Sequence, residues 1–201
     1  MKAVAIAVLA LCLATSPALA DAVTDAVRAA ETAHAAGDLA TAEVQLQAAL
    51  AAVRGLIVQK LVDHFPSAPE GWTALEVEGA DPDAAVYDRA GGLVVSRDYR
   101  TPGGSTVGVA ITVDSPLLGS LRMFVRNPAL SSFGGGPGMK AASVCGRDAV
   151  ESSDDRGLRE VSVIVGARTL ASVSARDGKD AADVRALVNL LDCDGIASVV
   201  E

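Results

Sequence analysis

The chain is short of the residues that do chemistry and of those that grip nucleic acids. Among its 201 residues are two histidines, three cysteines and six aromatic side chains, one of them tryptophan. Acidic groups outnumber basic ones 25 to 17, a formal net charge of −8. A chain with neither a cationic face for phosphates nor a stacking platform excludes nucleic acid as an expected partner. No apolar run reaches the roughly 20 residues that span a bilayer, so a membrane-spanning segment is not expected. His34 and His64 fall near the ends of predicted helices with no serine or cysteine motif beside them, which leaves little for a nucleophile–His–acid triad.

Other familiar devices are missing too. "GGGPG" (134–138) is followed by no Gly-Lys-Ser/Thr and opens no helix, so it is not a phosphate loop. "DCDGIASVVE", set against a calcium loop, would put the apolar Leu190 at the first ligand position, and Gly195 reads more simply as a helix C-cap. "ESSDDRG" gathers Glu151, Asp154 and Asp155 in what reads as a solvated turn. No metal or cofactor is expected.

What the chain does have begins with a secretory leader. Lys2 supplies the positive start, Ala3 to Leu13 the short apolar run, and Ala18-Leu19-Ala20 a small-x-small cleavage site. Cleavage after Ala20 predicts a periplasmic or secreted product, Asp21–Glu201. It carries 16 basic against 25 acidic side chains, a net charge of −9. Two cysteines remain, Cys145 and Cys193, and an oxidising compartment makes a disulfide the expectation. Closing a loop of about 49 residues stabilises by roughly 4 kcal/mol on the chain-entropy account.

The mature chain opens with helical periodicity. Val23, Val27, Ala30 and His34 share one face, Gly37 suits a C-cap, and Asp38 suits the start of a second helix. That helix carries Leu46, Leu50, Val53, Ile57 and Leu61 on one stripe and should end by Pro66. The predicted organisation is a leader (1–20), a helical hairpin (21–65), a linker (66–76) and an α+β domain (77–201). In the linker, Trp72 either seals the junction or stacks on a ligand. "AHAAGDLATAEVQLQAAL" resembles the inter-helix turn of one tetratricopeptide unit, although such solenoids need about three.

Beyond the linker the period drops to two. Leu93, Val95, Arg97 and Tyr99 alternate, "TPGG" turns the chain, and Val107, Val109, Ile111 and Val113 alternate again. A short strand near 147–151, a hairpin about Gly166 and a helix from Asp180 complete an α+β domain on an antiparallel sheet. Between them, Ser115 and Pro116 suit the start of a helix whose apolar face is Leu117, Leu118, Leu121, Phe124 and Val125. Arg122 and Arg126 lie on its other side, and the glycine-rich loop after it carries a lone large residue, Phe133. From "PEGWTALE" onward the order of elements resembles PsbP-like α/β sandwich domains. It also resembles exported bacterial proteins in which an alanine-rich hairpin precedes "P-x-GW", "DSPL" and a terminal "R-x-L-x-S-V" strand plus helix. The resemblance implies a periplasmic domain and assigns no reaction.

The function expected from these residues is non-catalytic: a periplasmic accessory or binding protein. It would dock an envelope protein through the hairpin, or a small apolar ligand beside the glycine loop. Contact candidates are Trp72, Phe133, Arg122 and Arg126. A hydrolase-like enzyme using carboxylates or a triad, and an oligomeric structural component of the envelope, remain the alternatives.

Overall fold

A computed structural model describes residues 16–79, 86–87, 92–127, 138–155, 157–175 and 181–201. The chain divides into two compact units between Leu56 and Ile57. That boundary falls inside the second of two helices, α1 (Ser16–Ala35) and α2 (Leu39–Val62). The turn joining them needs Gly37 at φ +77°, a conformation glycine adopts without steric cost. Asp38 then caps α2, as its position in the sequence suggested. Its carboxylate accepts from the Thr41 amide at 3.0 Å and the Thr41 hydroxyl at 2.7 Å, satisfying an amide that the first helical turn leaves open.

In the second unit, one antiparallel sheet is built from β1 (Thr73–Glu78), β2 (Val86–Tyr87), β3 (Leu93–Arg100), β4 (Thr106–Val113), β5 (Met139–Val144), β6 (Arg147–Asp154), β7 (Gly157–Val165) and β8 (Thr169–Ala175). Their order is β1-β3-β4-β8-β7-β6-β5, with β2 paired to β3. Three helices follow the strands at intervals: α3 (Leu118–Arg126), α4 (Ala181–Val188) and α5 (Cys193–Val200). A helical pair followed by an antiparallel sheet with packed helices is the α+β class the sequence indicated.

Alternation decides which face of the sheet is buried. Val95, Ile111, Ala171, Val163 and Ala149 are successive partners across five strands, and each is at most 1% exposed. Helices cover this face: Val184, Leu187 and Val188 of α4, Ile196 and Ala197 of α5, and Val58 and Leu61 from the last turns of α2 join the same cluster. Burial of each such side chain contributes about 1.5–3 kcal/mol of gross transfer energy. The opposite face carries Ser96, Ala110, Thr112, Ser162, Ser172 and Ser174 at the intervening positions. There α3 forms a small separate cluster with Ile164 and Leu170.

The sequence placed several elements differently. α3 starts at Leu118; Ser115 instead opens a preceding turn, its hydroxyl accepting from the Leu117 amide at 3.3 Å. Only Leu118 and Phe124 of the expected apolar face are fully buried, and Leu117 is exposed. β1 begins within residues read as a linker, β5 within residues read as loop, and α5 was not foreseen. Gly195 lies in the first turn of α5, whose N-cap is Asp192. A Cβ at Gly195 would run into the Asp192 carboxylate and the His64 ring, so the position is reserved by a close approach rather than by a helix end.

Tyr99 fastens the start of the sheet to the segment before it. The ring is fully buried, and its hydroxyl donates to the Pro66 carbonyl at 2.7 Å. Beside it, the Arg97 guanidinium lies 5.5 Å over the Phe65 ring. Burial pushes the Tyr99 hydroxyl above its ordinary pKa. Tyr99→Phe keeps the packing but strips a buried carbonyl of its donor. The expected loss is about 1–2 kcal/mol, read as a lower urea midpoint at unchanged m-value.

Candidate functional site: the apolar face of the hairpin

α1 and α2 meet through their smallest side chains. Ala30 and Ala33 of α1 and Ala42 and Ala49 of α2 are all buried, and their spacing of three and seven puts each set on one helix face, an alanine seam. The large apolar residues are left outside: Leu39, Leu46, Leu50 and Val53 are 68%, 56%, 49% and 38% exposed. This inverts the usual arrangement, in which the bulky side chains of an amphipathic helix face its neighbour. The reason lies in the sequence. From Leu39 to Val53 the only charged residue is Glu43, and a helix that is apolar all round is ordinarily covered on more than one side.

The exposed stripe borders a shallow groove of about 380 Å³. Leu39, Leu46 and Leu50 line it with Ala42, while His34, Glu43 and Gln47 supply its polar groups. Val27, seven residues before His34 on the same side of α1, is also exposed. Single exposed leucines are common on protein surfaces; here Leu39, Leu46 and Leu50 adjoin one another along one groove.

The residues named from sequence as contacts do not gather there. Trp72 is half-buried and packs against the sheet-unit core. Arg122 donates to the Gly166 and Ala167 carbonyls at 2.8 and 2.7 Å, so it clasps the β7–β8 turn. That turn is held again by Glu201, which accepts from the Ala167 amide at 3.1 Å. Arg168 completes the fastening with a two-pronged pair to Asp114, 2.7 Å on each arm. Arg126 is exposed at the end of α3, and Phe133 lies outside the described residues.

Cys145 and Cys193 stand at disulfide-bonding distance, their Cα atoms 6.3 Å apart. Cys145 and Gly146 form the two-residue link between β5 and β6, both with positive φ (52° and 70°), as a type I′ hairpin turn requires. Next to them, Arg147 pairs with Asp194 at 2.9 Å.

Two ionic clusters in the sheet unit were not visible in sequence. Glu151 is not in a solvated turn: it lies on β6 facing the helices, its side chain only 10% exposed. Lys140 meets it at 2.9 Å and Arg185 at 3.2 Å. The Lys140 ammonium, aided by the Arg185 guanidinium, holds its carboxyl below the usual range against the opposing effect of burial. His64, just past α2, faces the Asp192 carboxylate through Nδ1 at 2.8 Å. The Gly195 amide, and then His64, hold Asp192 below its ordinary pKa. Both oxygens of Asp192 are engaged, one as a helix cap and one on the imidazole, so the pair is a latch between α2 and α5. Among the described residues no three of His, Cys, Asp and Glu group together as a metal site would need. No helix among them is long and apolar enough to cross a membrane.

No protein-family model, curated protein or solved structure matches the chain.

Glu151 and Asp192, each lowered in the folded state, contribute stability that is complete above the unfolded range of about 4 to 4.5 and is lost as pH falls through the lower folded values. Glu151→Gln should therefore cost about 1–2 kcal/mol at pH 7, discounted for the solvent around its two cations. It should also flatten the decline in urea midpoint between about pH 5 and pH 3. For the hairpin, Leu46→Gln should change stability by under about 0.5 kcal/mol in the monomer, as at an ordinary surface site. Ala49→Leu in the seam should cost about 1–3 kcal/mol by overpacking. Helical signal followed on heating distinguishes the two.

Proposed function

We propose that this is a non-catalytic accessory protein of the cell envelope that docks a protein partner through the apolar face of its helical hairpin. The observation that carries the reading is the inversion on α2, with alanines inside and leucines outside. Apolar area left in water on a regular surface stabilises association at about 25 cal/mol per Å² when covered. Helix-in-groove recognition uses anchors spaced as these are, at i, i+7 and i+11. The leader-like N-terminus supports an exported location. An oxidising compartment would then join Cys145 to Cys193, tying the β5–β6 turn to α5. The ionic clusters support no competing catalytic reading, since Glu151 is saturated by two cations and the His64–Asp192 pair serves as a helix latch.

A photoreactive amino acid at position 46 in cells making the protein should give a discrete protein adduct, and the same probe at position 144, in the sheet unit, should not. Equal labelling at both positions, or none at either, sinks the docking reading.

A further inference from the structure

The apolar face has features that select its occupant. Along α2, Leu39, Leu46 and Val53 recur every seven residues, the spacing of a seam between packed helices. The 39/46/53 repeat is symmetric about its middle: an antiparallel copy centred on Leu46 sets Leu39 of each chain against Val53 of the other and Leu46 against Leu46, with Leu50 of each chain over Ala42 of the other. A surface that matches itself under a two-fold rotation is what an isologous dimer requires, and such dimers are the commonest assemblies.

Charge points the same way. The chain carries −8 overall, which opposes self-association wherever acidic groups face each other. Within residues 39–53 that charge is reduced to Glu43 alone, so α2 adds little repulsion between two copies, and the α1 side of the face adds Glu31. Size is adequate as well. Fifteen helical residues run about 22 Å, and two helices side by side are about 20 Å wide. The corrugated surface over that footprint reaches the roughly 500 Å² per partner at which specific association becomes tenable. Val27 of α1 extends the face onto the second helix, so two hairpins laid together make a four-helix bundle with leucine and valine between the pairs.

Resting on the docking reading above, we infer that the occupant of this face is a second copy of the chain, and that the protein is a two-fold dimer through residues 39–53. Light scattering after size exclusion of the full chain, at about 100 µM, tests it well above a micromolar Kd. The expected mass is twice that of one chain. Leu46→Glu with Leu50→Glu should return it to one chain with the circular dichroism of the sheet unit unchanged. Leu46→Cys should cross-link chain to chain under oxidation, while Val44→Cys, on another side of α2, should not. A wild-type protein that stays monomeric overturns the dimer, as does one whose dimer survives the double glutamate variant. The two readings then separate by one probe, an amphipathic leucine-heptad peptide. If the monomer binds it at the stripe, docking stands without self-association; if it does not, both fall.

Discussion

A strand exposes its side chains alternately to two faces, and the sheet unit depends on that single fact. Because valine, isoleucine and alanine alternate along β4 (107–113), β7 (161–165) and β8 (171–175), partners in register build continuous apolar rows across the sheet. The rows have one profitable fate, which is to lie under helices, and α4, α5 and the end of α2 meet that demand. A slip of one residue in any of these strands would bring small or polar residues inward and valines out. Register, coverage and helix placement are thus one constraint expressed three times.

Polar groups secure the margins of that arrangement rather than its centre. The Tyr99 hydroxyl ties β3 to Pro66, Glu151 ends an apolar row between Lys140 and Arg185, and Arg122, Arg168 and Glu201 converge on the turn between β7 and β8. His64 and Asp192 do the same where α2 meets α5. The hairpin follows the opposite logic. Its seam is made of alanines, so helices can approach closely but bury little, and its larger side chains remain available. One chain thereby combines a unit that buries its apolar surface internally with one that leaves much of it exposed.

Much of this was legible in sequence where a period was clean. The strands about Val95, Ile111 and Val173, the Gly166 turn, the Gly37-Asp38 junction and the pairing distance of Cys145 and Cys193 all followed from spacing or from residue type. Three kinds of information were not. Edge strands such as β5, with "MKAASV", are half-exposed and small, so they carry no strong alternation. The environment of Glu151 depends on Lys140 and Arg185, which are distant in sequence and brought together by the sheet. The stripe on α2 was visible, but not its direction, because apolarity on all sides of a helix does not reveal which side meets its neighbour. Only the alanine seam settles that, and alanine is too common in helices to announce a contact.

The strand order has a consequence for how the chain reaches this state. β1, β3 and β4 form one meander and β5 to β8 another, each made from neighbours along the chain, and they are joined along a single seam between β4 and β8. That seam unites residues roughly sixty positions apart, so its loop-closure entropy falls due in one step, after both meanders have local reasons to exist. Until that seam closes, β4 and β8 each carry an unpaired edge. An intermediate caught there presents two bare strand edges, and crowded synthesis would favour their exchange between neighbouring molecules.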